Sequence, residues 1–217
     1  MFSKPIKNLI LDFDGTIGDT RQLIVGTMLQ VIAKLGLEPR TEEQCAAMIG
    51  LPLRQTFADL IPMNETTAAL CEQTYRQLFS INNKRGAVQI FPHVAETIAT
   101  LHQRGLTLTI ASSRSGNSLR EFVSDMHLTN YISLIISNDD IQHAKPAPEA
   151  VFKTLGKIAG RADETMVVGD TSFDIKMGLN AGCLTCGVTY GNHSRKQLED
   201  AGAHFIIDDF ADIVNLV

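Results

Sequence analysis

The sequence has no long apolar run, and it has no apolar segment at its start. No uninterrupted apolar stretch approaches the roughly 18 residues that a membrane helix needs. Residues 1–5 lack the apolar core of a secretory signal. Both absences argue against a membrane or secreted protein, so we expect a soluble, cytoplasmic protein with no membrane partner.

The sequence is also poor in cysteine, with four in 217 residues. Cys183 and Cys186 form a C-x-x-C pair, a spacing that is typical of redox and zinc sites. Neither a second cysteine pair nor a nearby histidine pair completes a zinc site. The segment around the pair has the composition of a short strand of small residues. We therefore predict that these thiols are buried and reduced.

Positive charge is scarce as well: the sequence has 19 Lys and Arg but 24 Asp and Glu, and its net charge is -5. No dense Lys/Arg cluster appears, which argues against nucleic acid as a partner. Hydrophobic residues make up 44% of the chain, enough for a substantial core. No internal repeat or low-complexity tract interrupts it. The composition therefore predicts an ordinary globular protein.

Short apolar runs, rich in β-branched residues, alternate with helical patterns along most of the chain. This alternation predicts β-α-β units, hence an α/β fold with a doubly wound parallel sheet. The predicted strands are 9–12, 106–112, 132–137, 165–170, 184–188 and 204–207. The predicted helices between them are 94–104, 118–126, 147–158 and 173–180.

One long interval, residues 20–87, carries no strand pattern. It has helical patterns at 21–35, 41–48, 53–60 and 65–82, with Thr41 and Gln44 placed as a capping box. The interval is too long for a simple connection between a strand and a helix. We therefore predict a core domain of residues 1–19 and 88–217 with an inserted helical domain of residues 20–87. Residues 15–20 and 82–87 are the predicted crossings.

Carboxylates, hydroxyls and a lysine follow the predicted strands at or beyond the point where each strand ends. The four segments are Asp12-Phe13-Asp14-Gly15-Thr16, Ser112-Ser113-Arg114, Lys145-Pro146-Ala147-Pro148-Glu149 and Gly169-Asp170-Thr171-Ser172-Phe173-Asp174. The carboxyl ends of parallel strands share one edge of a sheet, and ligands bind there. We therefore expect these side chains to converge on one site.

Carboxylates gathered at an apolar strand end repel one another unless a cation or a substrate uses them. Mg²⁺ binds oxygen ligands and commonly takes one or two carboxylates together with water and phosphate. A lysine and hydroxyls beside such an ion suit a tetrahedral oxyanion better than a neutral substrate. The residues therefore predict a metal-assisted site for an anionic substrate.

The four segments resemble motifs I to IV of the haloacid dehalogenase superfamily: D-x-D-x-T, a strand-end Ser/Thr, a Lys, and G-D-x-x-x-D. The inserted helices resemble the superfamily's C1 cap, and the resemblance implies a Rossmann-like core. Three further segments resemble the phosphoglycolate phosphatase branch: Gly50-Leu51-Pro52-Leu53-Arg54, Lys145-Pro146-Ala147-Pro148 and Gly187-Val188-Thr189-Tyr190-Gly191. The resemblance covers nearly the whole chain.

The resemblance implies that Asp12 is the nucleophile and forms an aspartyl-phosphate, which divides one displacement into two. Asp14 would be the general acid that protonates the leaving oxygen and then the base that activates water. Mg²⁺ would be the cofactor, bound by Asp12, Asp170 and the backbone carbonyl of Asp14. Asp174 would support the metal or its waters.

The resemblance also implies that Ser112 hydrogen-bonds the transferring phosphoryl group and that Lys145 offsets charge beside the nucleophile. Thr16, Ser113 and Arg54 are further predicted substrate-binding residues, with Arg54 facing the substrate from the cap. Each role has a structural alternative. Ser112 could be a turn residue, and Lys145 and Arg54 solvated surface residues. Asp174 could be the cap of the following helix.

The favoured function is a Mg²⁺-dependent phosphatase acting on a small phosphorylated metabolite, with phosphoglycolate as the single most favoured substrate. A β-phosphoglucomutase-like phosphomutase and an inorganic pyrophosphatase stay open as alternatives on the same fold. The namesake dehalogenases lack the second Asp of motif I, which is present here as Asp14. A non-catalytic regulatory protein is disfavoured because Asp12 and Asp170 are retained. A response-regulator-like receiver has no need of so large an insertion. The sequence does not indicate an oligomeric state.

Overall fold

The computed structural model describes residues 5–84 and 86–217. Residues 1–4, which the sequence assigns to the core domain, and Arg85, in the second predicted crossing, lie outside the described residues. Among the helices of the described ranges, none combines the length and the apolar character that a bilayer crossing requires.

A six-stranded parallel sheet forms the centre of the fold, in the order β5-β4-β1-β6-β7-β8. Each predicted strand corresponds to one of these six, so the α/β prediction is confirmed. The strands are β1 Asn8–Leu11, β4 Thr107–Ala111, β5 Ile132–Ile136, β6 Thr165–Gly169, β7 Leu184–Val188 and β8 Phe205–Ile207. Apolar side chains cover both faces of the sheet: Leu9 and Leu11 lie in one core cluster, and Ile10 in the other.

Helices flank the sheet, and four more helices occupy the long interval between residues 20 and 87. The helices in this interval are α1 Arg21–Lys34, α2 Glu42–Ala46, α3 Leu53–Leu60 and α4 Glu65–Asn82. The helices that flank the sheet are α5 Val94–Gln103, α6 Gly116–Asp125, α7 Glu149–Ile158, α8 Ser172–Asn180 and α9 Arg195–Asp200. Helix α2 begins with the predicted capping box of Thr41 and Gln44. Helix α1 packs on α2 and α4, and α3 packs on α4.

A short ribbon, absent from the sequence prediction, joins the two crossings. Strands β2 (Gly18–Asp19) and β3 (Gln89–Ile90) pair antiparallel, and the backbone N–H of Phe91 donates to the carbonyl of Ile17 at 3.0 Å. Each strand has only two residues, too few to produce a recognisable alternation of polar and apolar side chains. The ribbon sets the entry and exit of the helical segment side by side.

All four cysteines are buried and free, which confirms the prediction made for Cys183 and Cys186. Helix α9 was not predicted, and three core helices begin at residues other than those predicted, α8 by a single residue. Helix α7 begins at Glu149, directly after Pro148, which provides the N-cap position; the backbone before a proline is pushed away from helical geometry. Helix α6 begins at Gly116, within the predicted loop. These differences leave the site-bearing strand ends unchanged.

Candidate active site

The register of the sheet brings three polar strand ends together. Leu11 pairs with Ile110 of β4 and with Val168 of β6, so Asp12, Ser112 and Asp170 follow neighbouring strands at one edge. The backbone N–H of Asp12 continues the ladder by donating to the Val168 carbonyl at 2.8 Å. All three side chains are buried. The predicted convergence on one edge is therefore present in the fold.

Lys145 lies inside this cluster, buried between two carboxylates. Its Nζ donates to Asp12 Oδ1 at 2.5 Å and to Asp174 Oδ1 at 2.6 Å. Burial by itself lowers the pKa of Lys145, but the two carboxylates outweigh burial and hold that pKa above its ordinary value. The surface alternative for Lys145 is therefore wrong.

Asp12, Asp170 and Asp174 form a compact buried triad, with one oxygen of each within 4.8 Å of the others. Burial, opposed by Lys145 and reinforced by neighbouring carboxylates, raises the pKa of Asp12 well above its ordinary value. Burial, and next to it the Asp174 charge, raises the pKa of Asp170 to about 7. Three carboxylates share one buried cation, and their mutual repulsion is among the causes that raise these pKa values.

The triad fits a hard divalent cation. Its donors are carboxylate oxygens, the ligands that Mg²⁺ and Ca²⁺ prefer. Asn192 donates to Asp170 Oδ2 through its backbone N–H at 2.7 Å and its side chain at 2.8 Å, while its buried Oδ1 has no hydrogen-bond partner among the described residues. Gly15 and Gly191 lie so close that a Cβ at either position would overlap the Asp170 carboxylate. Closely spaced carboxylate oxygens, with glycine backbone packed against one of them, thus form a donor set suited to a metal ion.

Asp174 has two structural roles. Its Oδ2 accepts from the Thr171 backbone N–H at 3.1 Å and from the Thr171 hydroxyl at 2.6 Å, completing the capping box of α8. Its Oδ1 accepts from Lys145, as described above. The helix-cap alternative is therefore correct, and it orients the same carboxylate toward the cluster.

Asp14 points away from this triad. The Gly15 turn, with φ of +90°, follows it, and Gly15 N–H donates to the Gly18 carbonyl at 2.9 Å, next to the ribbon. The Asp14 carboxylate accepts from Arg114 Nη2 at 2.5 Å and from Arg114 Nε at 3.2 Å. Asp14 was predicted to bind metal through its backbone carbonyl, and its carboxylate is not among the triad.

Sequence reasoning missed Arg114. Its guanidinium carbon lies 4.8 Å from the Phe122 ring centroid, 5.0 Å from that of Phe79 on α4 and 6.0 Å from that of Phe13. Burial, which lowers the pKa of Arg114, is outweighed by Asp14, which raises it. The position of Arg114 two residues after Ser112, at the same sheet edge, is the sequence feature that could have indicated it.

The remaining predicted residues occupy different surroundings. Ser112 is buried, and its Oγ accepts from the Arg114 backbone N–H at 3.3 Å. Ser113 reaches the helical segment, where its hydroxyl donates to the Gly50 carbonyl at 2.7 Å. Thr16 is buried against the triad and donates to Asp170 Oδ1 at 3.3 Å. Thr16 does not line the cavity described next.

A cavity of about 610 Å³ lies between this sheet edge and helices α1, α3 and α4. Its core wall includes Asp12, Asp14, Ser112, Ser113 and Arg114, whereas Asp170, Asp174 and Lys145 do not line it. Its helical wall is mostly apolar, with residues such as Ile24, Met28, Leu53, Tyr75 and Phe79. At this sheet edge, a molecule in the cavity can therefore reach Asp12 and Asp14 but not Asp170 or Asp174.

Arg54 also lines the cavity, from helix α3. Its side chain is half exposed and donates to Glu72 Oε2 at 2.9 Å and to Glu65 Oε1 at 2.7 Å. Glu72 also accepts from Arg76 at 2.8 Å. Arg54 therefore combines features of both interpretations: its side chain is solvated, as a surface residue would be, and it also faces the cavity.

Known proteins resemble this chain over almost its whole length. Residues 9–188 match the model of a family described as haloacid dehalogenase-like hydrolase. A pyrophosphatase PpaX from Anoxybacillus flavithermus is 30% identical over 212 residues, covering 98% of this chain and 97% of that protein. A phosphoglycolate phosphatase from Pectobacterium atrosepticum is 28% identical, covering 98% and 92%. The crystal structure of a predicted phosphatase from Clostridium acetobutylicum superposes with a TM-score of 0.89 at 20% identity, covering 98% of each chain. The chain therefore belongs to the haloacid dehalogenase-like hydrolases and is a phosphatase of that family.

Proposed function

We propose that this phosphatase is Mg²⁺-dependent and hydrolyses a small phosphorylated metabolite through an aspartyl-phosphate on Asp12. The observation that carries the proposal is the placement of Asp12: it is in ion-pair contact with Lys145, belongs to the buried triad, and is the only triad member that lines the cavity. A carboxylate nucleophile needs access to the phosphoryl group and nearby positive charge. Asp12 has both access to the cavity and a positive charge beside it.

The metal would be held by Asp12, Asp170 and the backbone carbonyl of Asp14, with Asp174 supporting it. When bound, Mg²⁺ supplies positive charge that neutralises the phosphoryl oxygens during transfer. Lys145 holds Asp12 Oδ1 in a fixed direction through a contact of 2.5 Å. Ser112, at the cavity wall, donates its hydroxyl to the phosphoryl group, and Ser113, which also lines the cavity, contacts the substrate. Thr16 supports the triad through its hydrogen bond to Asp170.

Asp14 supplies the proton in the proposed mechanism. It lines the same cavity two residues after the nucleophile, so both carboxylates can reach one phosphate ester. Asp14 protonates the leaving oxygen as Asp12 attacks phosphorus, and then removes a proton from the water that hydrolyses the aspartyl-phosphate. The two residues thereby divide nucleophilic and acid-base roles.

We propose that residues 20–87 act as a cap over a core of residues 1–19 and 88–217. The β2–β3 ribbon carries both crossings, and the Ser113 hydroxyl contacts the Gly50 carbonyl at the boundary. Closure of the cap would exclude water, and opening would release product. Arg54 would face the part of the substrate beyond the phosphate from the cap side.

Phosphoglycolate stays the favoured substrate, supported by the relative that carries the name phosphoglycolate phosphatase. Inorganic pyrophosphate is the second candidate, because another relative, at 30% identity, is named a pyrophosphatase. A screen of phosphate release over phosphorylated metabolites and pyrophosphate, with and without Mg²⁺, separates them.

The mechanism is tested in the same assay with Asp12→Asn. Asparagine keeps the side-chain shape but lacks the anionic nucleophile, so phosphate release should fall to background while the protein still folds. Asp200→Asn, the same substitution at an exposed residue, is the matched control and should keep full turnover. Full turnover by Asp12→Asn would refute the nucleophile assignment.

A further inference from the structure

Arg114 and Asp14 form a bidentate ion pair beside the cavity. Two guanidinium nitrogens reach the two carboxylate oxygens, at 2.5 and 3.2 Å. The side chains are only 8% and 14% exposed, so water screens the pair weakly. The fork of the guanidinium therefore fixes the direction in which the Asp14 carboxylate points.

The surroundings leave Arg114 few other partners. Aromatic rings from α4, from α6 and from the loop after β1 surround it, and its Nη1 donates to the Ser118 hydroxyl at 3.0 Å. Within the described ranges, Asp14 is the sole carboxylate at ion-pair distance from Arg114. A buried guanidinium deprived of its one anion is strongly unfavourable. Asp14 can therefore leave Arg114 readily only if another anion replaces it.

The bidentate pairing directs the Asp14 carboxylate toward Arg114, so Asp14 has to turn away from this partner in order to act on a leaving group in the cavity. The replacement anion must come from the cavity, which Arg114 lines. Arg54 and Arg76 also line the cavity, but both are half exposed and already paired within the helical segment, Arg54 with Glu65 and Glu72 and Arg76 with Glu72. Arg114 is thus the buried cation whose partner must change.

We propose that Arg114 determines substrate specificity by exchanging Asp14 for a second anionic group of the substrate, such as a carboxylate or a second phosphoryl group. The inference rests on the proposed function, in which Asp14 serves the leaving oxygen. It defines the substrate class as phosphate esters or anhydrides that carry an additional anion close to the transferred phosphoryl group. An ester that lacks this anion leaves Asp14 bound to Arg114 and reacts slowly.

The test compares phosphoglycolate with ethyl phosphate, an ester of similar length without the carboxylate. Wild type should have the higher kcat/KM for phosphoglycolate. Arg114→Met should lower that kcat/KM by about ten- to a hundredfold, as expected for a lost charge-assisted hydrogen bond. The same variant should leave ethyl phosphate within about threefold of wild type or improve it, because Asp14 is no longer held. Arg104→Met, at the C-cap of α5 and outside the cavity lining, is the matched control.

Arg114→Lys keeps a cation but not the fork, so it should retain part of the preference for phosphoglycolate even if Arg114→Met does not fold. Equal losses on both esters would overturn the proposal, since they would place Arg114 on the transferred phosphoryl group or in the fold. A preference that disappears with Arg54→Met and persists with Arg114→Met would also overturn it. Wild type hydrolysing both esters equally contradicts this proposal alone. Wild type releasing phosphate from neither ester contradicts the proposed function and, with it, this proposal.

Discussion

Replacing Lys145 by methionine should destabilise the protein in a way that depends on pH and on divalent cations. Methionine fills similar space but removes the cation that contacts Asp12 and Asp174. Removing one partner of a buried ion pair costs about 3–5 kcal/mol, because the remaining charge stays buried. For a chain of this length, about 2–4 °C of Tm corresponds to each kcal/mol. The Tm of Lys145→Met in EDTA at neutral pH should therefore fall by roughly 6–20 °C.

The pH dependence has a definite sign. Asp170 ionises with an ordinary pKa of 3.8 in the unfolded chain and with a pKa raised to about 7 in the folded protein. A carboxyl group with a raised folded-state pKa binds more protons when folded, so it destabilises the fold as pH rises through that window. Lys145 lowers the pKa of Asp12 and Asp170, and its removal raises both further. As pH rises toward the wild-type pKa of about 7, both proteins lose stability in parallel, and above it the variant alone continues to lose stability. The Tm deficit of Lys145→Met should therefore widen as pH rises above about 7 and narrow as pH falls back toward it.

The assay is thermal unfolding of wild type and Lys145→Met in EDTA and in Mg²⁺, from about pH 5 to about pH 9. A cation that binds only the folded triad raises its stability by mass action, so Mg²⁺ should recover part of the deficit at neutral pH. Lys196→Met removes an exposed partner of Asp200 and is the matched control, with a change below about 1 kcal/mol. A deficit of equal size at every pH, with and without Mg²⁺, would refute the electrostatic account of the triad.

Two further predictions concern turnover. Activity should vanish when EDTA removes the metal and return with Mg²⁺. Ca²⁺ should inhibit, because its looser coordination tolerates a bidentate carboxylate that cannot attack. Full turnover after verified metal removal would contradict the metal assignment. Asp14→Asn should slow alkyl phosphates far more than p-nitrophenyl phosphate, because an acidic phenol leaves without protonation; equal losses on both esters would argue against Asp14 as the acid.

The sequence was sufficient to predict the sheet edge that carries the site. Parallel strands with short apolar runs can only place their carboxyl ends together, so Asp12, Ser112 and Asp170 converge once the fold class is known. The helices between residues 20 and 87 followed from their periodicity in the same way. Local sequence patterns are therefore sufficient to predict the position of a residue when a single strand or helix determines that position.

Contacts between distant elements could not be predicted. Arg114 is oriented by Asp14 on one side and by Phe79, from another helix, on the other. Asn192 supports Asp170 from a loop after β7 that has no periodic pattern. Arg54 donates a hydrogen bond to Glu72, eighteen residues away on the next helix. Each of these contacts depends on how side chains pack across elements, which spacing along one segment does not specify.

The stereochemical course at phosphorus tests the central claim, a covalent intermediate on Asp12, most directly. The measurement uses a phenyl phosphorothioate made chiral with oxygen isotopes and hydrolysed in water of the third isotope. Attack by Asp12 and then by water are two in-line displacements, and each inverts phosphorus. The account predicts net retention of configuration in the thiophosphate product. Net inversion would show that water attacks the ester directly and would contradict the account.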